Sequence, residues 1–95
     1  MQASRWAVEW KREALEDRRA ITAYLEARNP VAALRLLEAL VMAGDSLATF
    51  PLRGRLGRIE GTRELVALWP YVVVYEVQGA TVAILRIWHG AQERA

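Results

Sequence analysis

The chain has 95 residues, 54% of them hydrophobic and 25% charged, a composition that supports one packed core and excludes a disordered chain, so residues 1–95 are expected to form a single domain. It contains no cysteine, which excludes disulfide staples, thiolate metal sites and thiol nucleophiles. The net charge is +2 and the pI near 9.5, carried by arginine with Lys11 as the sole lysine. The planar guanidinium makes bidentate contacts to carboxylate or phosphate, so this complement suits a phosphate backbone or an acidic partner chain, unless it reflects only a GC-rich genome. No apolar run reaches the roughly 18 residues that span a bilayer. Met1 to Trp10 lacks the apolar core of a signal peptide, so the expected location is cytoplasmic, with no membrane partner.

Arg5 to Trp10 alternates, with Trp6, Val8 and Trp10 on one face, and predicts a first strand. From about Lys11 to Arg28 the sequence favours a helix with Ala14, Ile21 and Leu25 along one stripe, which Arg18 interrupts. Asn29 and Pro30 supply an N-cap and a first-turn proline for a second helix. Ala33, Leu36, Leu37, Leu40, Val41, Gly44, Leu47 and Ala48 form its broad apolar face, predicting a buried helix whose Gly44 closely approaches a neighbour, as expected in an antiparallel helix pair. Phe50-Pro51 ends it. Leu52 to Gly61 is then read as a loop, the most basic stretch of the chain, with Arg53, Arg55 and Arg58 set among three glycines. Three strands follow, about Thr62 to Leu68, Tyr71 to Val77 and Thr81 to His89, whose short connections predict an antiparallel meander. The order β-α-α-β-β-β is an α+β domain, a helical hairpin packed on one face of an antiparallel sheet.

Five short patterns occur in order along this framework: ITAYLEARNP (Ile21 to Pro30), FPLRGRLGR (Phe50 to Arg58), GTRELV (Gly61 to Val66), PYVVVYEV (Pro70 to Val77) and ILRIWHGAQ (Ile84 to Gln92). Each alone is weak, but together, across essentially the whole chain, they resemble the RelE/ParE toxins of bacterial type II toxin–antitoxin pairs. Arg18 departs from the pattern, because family members usually place an apolar residue there. The resemblance implies a toxin held inactive by a cognate antitoxin whose extended C-terminal segment wraps the helical hairpin and the sheet. Operator DNA would be reached only through that antitoxin, and no cofactor is implied. Arg18 and Arg19 on the first helix are candidates to meet antitoxin carboxylates. Four tryptophans in so small a domain are hard to bury completely, so a partly apolar surface awaiting a partner is expected.

One fold serves two mechanisms in this family. RelE-like members cut messenger RNA in the ribosomal decoding site, whereas ParE-like members block DNA gyrase without nuclease activity. A metal-free RNA cut needs basic side chains converging on one phosphate. The RelE-like pattern places a phosphate-clamping arginine where this chain has Val72, and the lysines those members use have no counterpart, since Lys11 lies near the first strand. Arg63, Arg86 and His89 remain as the candidate catalytic set of a metal-independent endoribonuclease. Each has a plainer alternative: His89 capping a strand end, Arg86 pairing with Glu64 or Glu76 across the sheet, Arg63 pairing beside Glu64.

Arg53, Arg55, Arg58, Arg63 and Arg86 are the candidate contacts to a target protein or nucleic acid, or else a solvated basic surface. The apolar strand at Val72 favours the ParE-like reading, a gyrase-binding toxin with no chemistry of its own. The alternatives are a ribosome-dependent endoribonuclease and a detoxified member acting only in an antitoxin–operator complex. Ser4 and Ser46 have no motif around them, no carboxylate and histidine cluster has metal-ligand spacing, and the Gly-rich loop carries neither a Walker nor a dinucleotide fingerprint.

Overall fold

The computed structural model describes residues 5–90; Ser4 and Gln92, named above, lie outside them. The elements are β1 (Ala7–Trp10), α1 (Arg12–Glu26), α2 (Pro30–Ser46), β2 (Arg55–Leu56), β3 (Arg63–Leu68), β4 (Tyr71–Gln78) and β5 (Thr81–His89). Both helices lie on one face of a five-stranded sheet of order β1-β5-β4-β3-β2. The α+β class and the helical hairpin stand as the sequence implied. Two details differ. The basic loop contributes a short strand, β2, paired to β3 through Arg55–Glu64 and Leu56–Arg63. And the sheet is mixed, because β1 pairs in parallel with β5, from Ala7–Thr81 to Trp10–Ile84.

The parallel pairing follows from connectivity. Helices α1 and α2 return the chain to the end from which β1 started, so β3 and β5, the outer strands of the antiparallel meander, both run in the direction of β1. Any strand of that direction added to either edge must lie parallel to its neighbour.

Asn29 caps α2 as expected, its side-chain oxygen accepting the Ala32 N–H at 3.2 Å, with Pro30 in the first turn. The core joins Ala14, Leu36, Leu40, Ala43 and Leu47 of the helical layer to Val73, Tyr75, Val82, Ile84 and Ile87 of the sheet. Trp6 and Trp10 pack at its margin. Helix α2 is less buried than its sequence suggested: Leu37 and Val41 are exposed, as are Val31, Leu34 and Met42. Nor does Gly44 face the other helix. A methyl group built there would stand 2.9 Å from Cζ2 of Trp10, so the close approach is to the end of β1. The same indole explains Arg18, whose guanidinium lies 4.9 Å from the Trp10 ring centroid.

A register shift between Val74 and Tyr75, opposite Arg86 and Ile84, interrupts the alternation of β5. Before it Val82 and Ile84 face the helices; after it Ile87 does, and His89 with it. Beyond Ile84, β5 has no strand on its outer side among the described residues.

Candidate functional site

The candidate residues fall into separate groups. The first surrounds β2. Glu64 is only 3% exposed although it is charged, and it alternates onto the sheet face away from the helices. Its Oε1 accepts from Nη2 of Arg55 at 3.1 Å and its Oε2 from the backbone N–H of Arg58 at 3.0 Å. Burial pushes its carboxyl pKa up, but the Arg58 N–H and the Arg55 and Arg58 guanidinium groups outweigh that and leave it lowered. Arg55 and Arg58 are thus partly engaged in holding their own loop.

Arg63 does not pair with its neighbour Glu64. Its Nη1 donates to the carbonyls of Gly54 at 2.8 Å and Leu52 at 3.2 Å. Beside it the buried Tyr75 hydroxyl donates to the Pro51 carbonyl at 2.7 Å and accepts from the Gly54 N–H at 2.9 Å. Burial raises the Tyr75 pKa, opposed by the Gly54 N–H and the charges of Arg63 and Arg53. Arg53, in contrast, is exposed and its guanidinium makes no hydrogen bond or ion pair with any described residue.

The second group stands at the open edge of β5. Arg86, for which an ion pair across the sheet with Glu64 or Glu76 was the plainer alternative to a binding role, pairs with neither; its partner is Asp17 of α1, Nε to Oδ2 at 2.8 Å and Nη2 to Oδ1 at 3.0 Å. The reason is the missing neighbour strand, which lets the guanidinium reach round the edge to the helix. This contact raises the Arg86 pKa further. The backbone N–H of Ile87 also donates to Asp17, at 2.9 Å. His89 lies edge-on to Tyr71, with ring centroids 5.4 Å apart, in a cavity of about 330 Å³ that Asp17, Ile21 and Tyr24 also line. Its Nδ1 is buried and has no hydrogen-bond partner, so it does not bond a backbone group through that atom.

Arg63, Arg86 and His89 therefore do not converge. Arg63 pairs with Tyr75 and is turned to the loop, whereas His89 pairs with Tyr71, four residues away along β4, and faces the helices. The opposite sheet face, at the position of the lost arginine, is apolar: Val72 is buried between Val66 and Trp88 in register, beneath Trp69 and Gly90. Among the described residues no group of three or more His, Asp or Glu side chains could hold a metal, and no helix is long and apolar enough to cross a membrane.

Sequence reasoning missed Asp17, Glu64 and Tyr75 as organisers of these groups. Asp17 carried a weak signal, a carboxylate one residue before the arginine that interrupts the helix stripe. Glu64 and Tyr75 gave none, because their partners, the Arg55 guanidinium and backbone groups between Pro51 and Arg58, lie in a stretch without periodicity.

Large apolar residues remain exposed over the rest of the surface, among them Met42, Phe50, Leu52, Val66 and Trp69, in line with the expected partly apolar surface. Arg19 is also exposed.

Residues 8–94 match the family model described as the ParE toxin of the type II toxin–antitoxin system parDE. Among curated relatives the chain is 45% identical to Toxin RelE2 of Caulobacter vibrioides, over 90% of this chain and 96% of that protein. It is 41% identical to the putative toxin Y4kP of Sinorhizobium fredii, over 95% and 94%. Among solved structures it resembles a chain of the chromosomal ParDE system from P. aeruginosa, with a TM-score of 0.77 and 27% identity over 90% of this chain and 96% of that one. A chain of the E. coli DinJ-YafQ toxin–antitoxin complex shares the fold, with a TM-score of 0.59 at 13% identity over 90% and 93%.

Proposed function

Because the chain belongs to the ParE toxin family of type II toxin–antitoxin systems, we propose that it arrests growth by binding and poisoning DNA gyrase, and that a cognate antitoxin neutralises it. The observation that carries this reading is Val72. Where an RNA-cutting site needs a cation against the scissile phosphate, this chain has a buried valine with Val66 and Trp88 as cross-strand neighbours. The remaining basic candidates are occupied elsewhere, Arg63 by loop carbonyls and Arg86 by Asp17. A toxin that acts by binding alone needs no such convergence, and its exposed apolar and arginine-bearing surface suits a protein target. Arg53, Arg55 and Arg58 are the proposed target contacts. Arg18 and Arg19 are proposed to lie under the antitoxin, which would link the complex to operator DNA.

The test is a supercoiling and DNA-cleavage assay with purified gyrase, titrating in antitoxin-free protein. Inhibition or accumulation of cleaved DNA is expected, and His89→Ala should retain it. A folded, growth-arresting protein without effect on gyrase would overturn the reading.

One observation favours the second reading, a ribosome-dependent endoribonuclease. The unpartnered His89 Nδ1 shares its cavity with Tyr24 and Tyr71, a set able to exchange protons. On that reading His89→Ala abolishes cleavage of a ribosome-bound message.

A further inference from the structure

The two helices differ in the surface they turn to solvent. That of α1 is largely charged, with Arg12, Glu13, Glu16, Arg19 and Glu26 exposed. That of α2 is largely apolar: Met42 is 70% exposed, Val31 65% and Leu34 61%, with Leu37 and Val41 exposed beside them. So much apolar surface along one helix marks a contact face. It lies on the side of α2 opposite the buried Leu36, Leu40 and Leu47, and so away from the sheet.

At about 100° of turn per residue, Val31, Arg35, Glu38 and Met42 fall within a sector of about 60° and form one row along the helix. The row reads apolar, cation, anion, apolar. Reversed, it meets its own complement. Against an antiparallel second copy, Val31 faces Met42 and Arg35 faces Glu38, and both contacts recur on the other side of the two-fold axis. Arg35 and Glu38 are exposed and, though three positions apart, form no ion pair with each other or with any other described residue. Leu34 and Val41 border the row on one flank, and the same axis brings the flanks of both copies to one side, where they extend the apolar part of the contact. Sliding the copies by three residues would instead set Glu38 against Glu38, so charge selects the first register.

We propose that the outer face of α2 is a two-fold interface between two copies of this chain, packed as an antiparallel helix pair centred between Leu36 and Leu37. The sheet face on which Arg55 and Arg58 hold Glu64 is on the far side and stays uncovered, so a dimer presents that surface twice. The inference is independent of which target the toxin inhibits. A contact confined to one helix from each copy is smaller than the roughly 1,200 Å² of a standard interface, so a reversible dimer that dissociates in the micromolar range is expected.

Sedimentation velocity of the antitoxin-free, full-length chain over a range of concentrations tests this, with thermal melts to establish that each form is folded. The unaltered chain is expected to pass from monomer to dimer. Arg35→Glu and Glu38→Arg each create two like-charged contacts per dimer and should weaken it by about 10-fold or more. The double form Arg35→Glu/Glu38→Arg reverses both members of each pair and should restore it. Cross-linking reads the register separately. The chain has no cysteine, so in the Val31→Cys/Met42→Cys form the introduced thiols oppose each other, and mild oxidation should yield a covalent dimer. In Val31→Cys alone the two thiols lie about 16 Å apart along the helix axis and should not join. A chain that stays monomeric at high micromolar concentration overturns the proposal. So does a double charge reversal that dimerises no better than the single ones, or equally efficient cross-linking by Val31→Cys alone. A monomeric toxin whose affinity for its antitoxin falls in the Arg35→Glu form assigns the face to the antitoxin and overturns it as well.

Discussion

Asp17 and Arg86, 69 positions apart, form a bidentate pair across the open edge of β5, and the same Asp17 carboxylate accepts the backbone N–H of Ile87. The pair closes the part of that edge which β1, ending opposite Ile84, leaves uncovered. Arg86 is half exposed, so solvent screens the ionic part and the N–H contact carries most of the effect. Asp17→Ala is expected to lower stability by about 1–2 kcal/mol, and Arg86→Ala by less than about 1 kcal/mol. Urea unfolding of both forms checks this; equal losses would show that the ion pair dominates.

Gly44 is set against the indole of Trp10 at a distance that leaves no room for a methyl group. Alanine favours the helix by about 1 kcal/mol over glycine, whereas overpacking typically costs about 1–3 kcal/mol. Trp10 is held between α2 and the Arg18 guanidinium and has little freedom to yield. Gly44→Ala should therefore destabilise the protein by about 1 kcal/mol, with a change in tryptophan fluorescence as the indole shifts. A stabilised variant would show that the indole moves freely.

The Tyr75 hydroxyl ties the Pro51 carbonyl to the Gly54 N–H inside the protein. Tyr75→Phe keeps the ring but leaves the Gly54 N–H unpaired in a buried position, a loss of about 1–3 kcal/mol. Amide exchange at Gly54 should accelerate well beyond the global effect. If it does not, the neighbouring Arg63 contacts alone fix the loop.

Glu64 gives the fold an acid limb. Its folded pKa is lowered relative to the ordinary carboxylate value of 4.5, so the charged form is the better bound in the native state. The stability it contributes is fully present above the unfolded value and is lost as pH falls through the lowered folded one. The protein should therefore lose stability below about pH 4.5, and Glu64→Gln should show a shallower loss there together with lower stability at neutral pH. Melting temperatures of both forms between neutral pH and the acid range decide it; parallel curves would assign the acid limb to other carboxylates.

Much of the framework was legible in the sequence because it rests on local chemistry. The Asn29 cap and Pro30 start of α2, the boundaries of β5 and the meander after the basic loop each depend on residues next to one another. The parallel direction of β1 was also implicit in the element order, once the hairpin returns the chain to its starting end. Periodicity alone overstates burial in α2: Leu37 and Val41 lie on its apolar arc, yet both are exposed, because the arc is wider than the part of the helix that packs on the core.

By itself the sequence determined the α+β class, the family and the apolar residue at position 72, since these depend on residue types and their spacing along the chain. The tertiary structure alone decided which cations are engaged and which are free to receive a partner. A register shift of one residue in β5 turns His89 toward α1, the end of β1 opposite Ile84 releases Arg86 to Asp17, and loop carbonyls draw Arg63 away from the sheet. Each outcome depends on groups far apart in sequence, whose distances are set only when the layers pack.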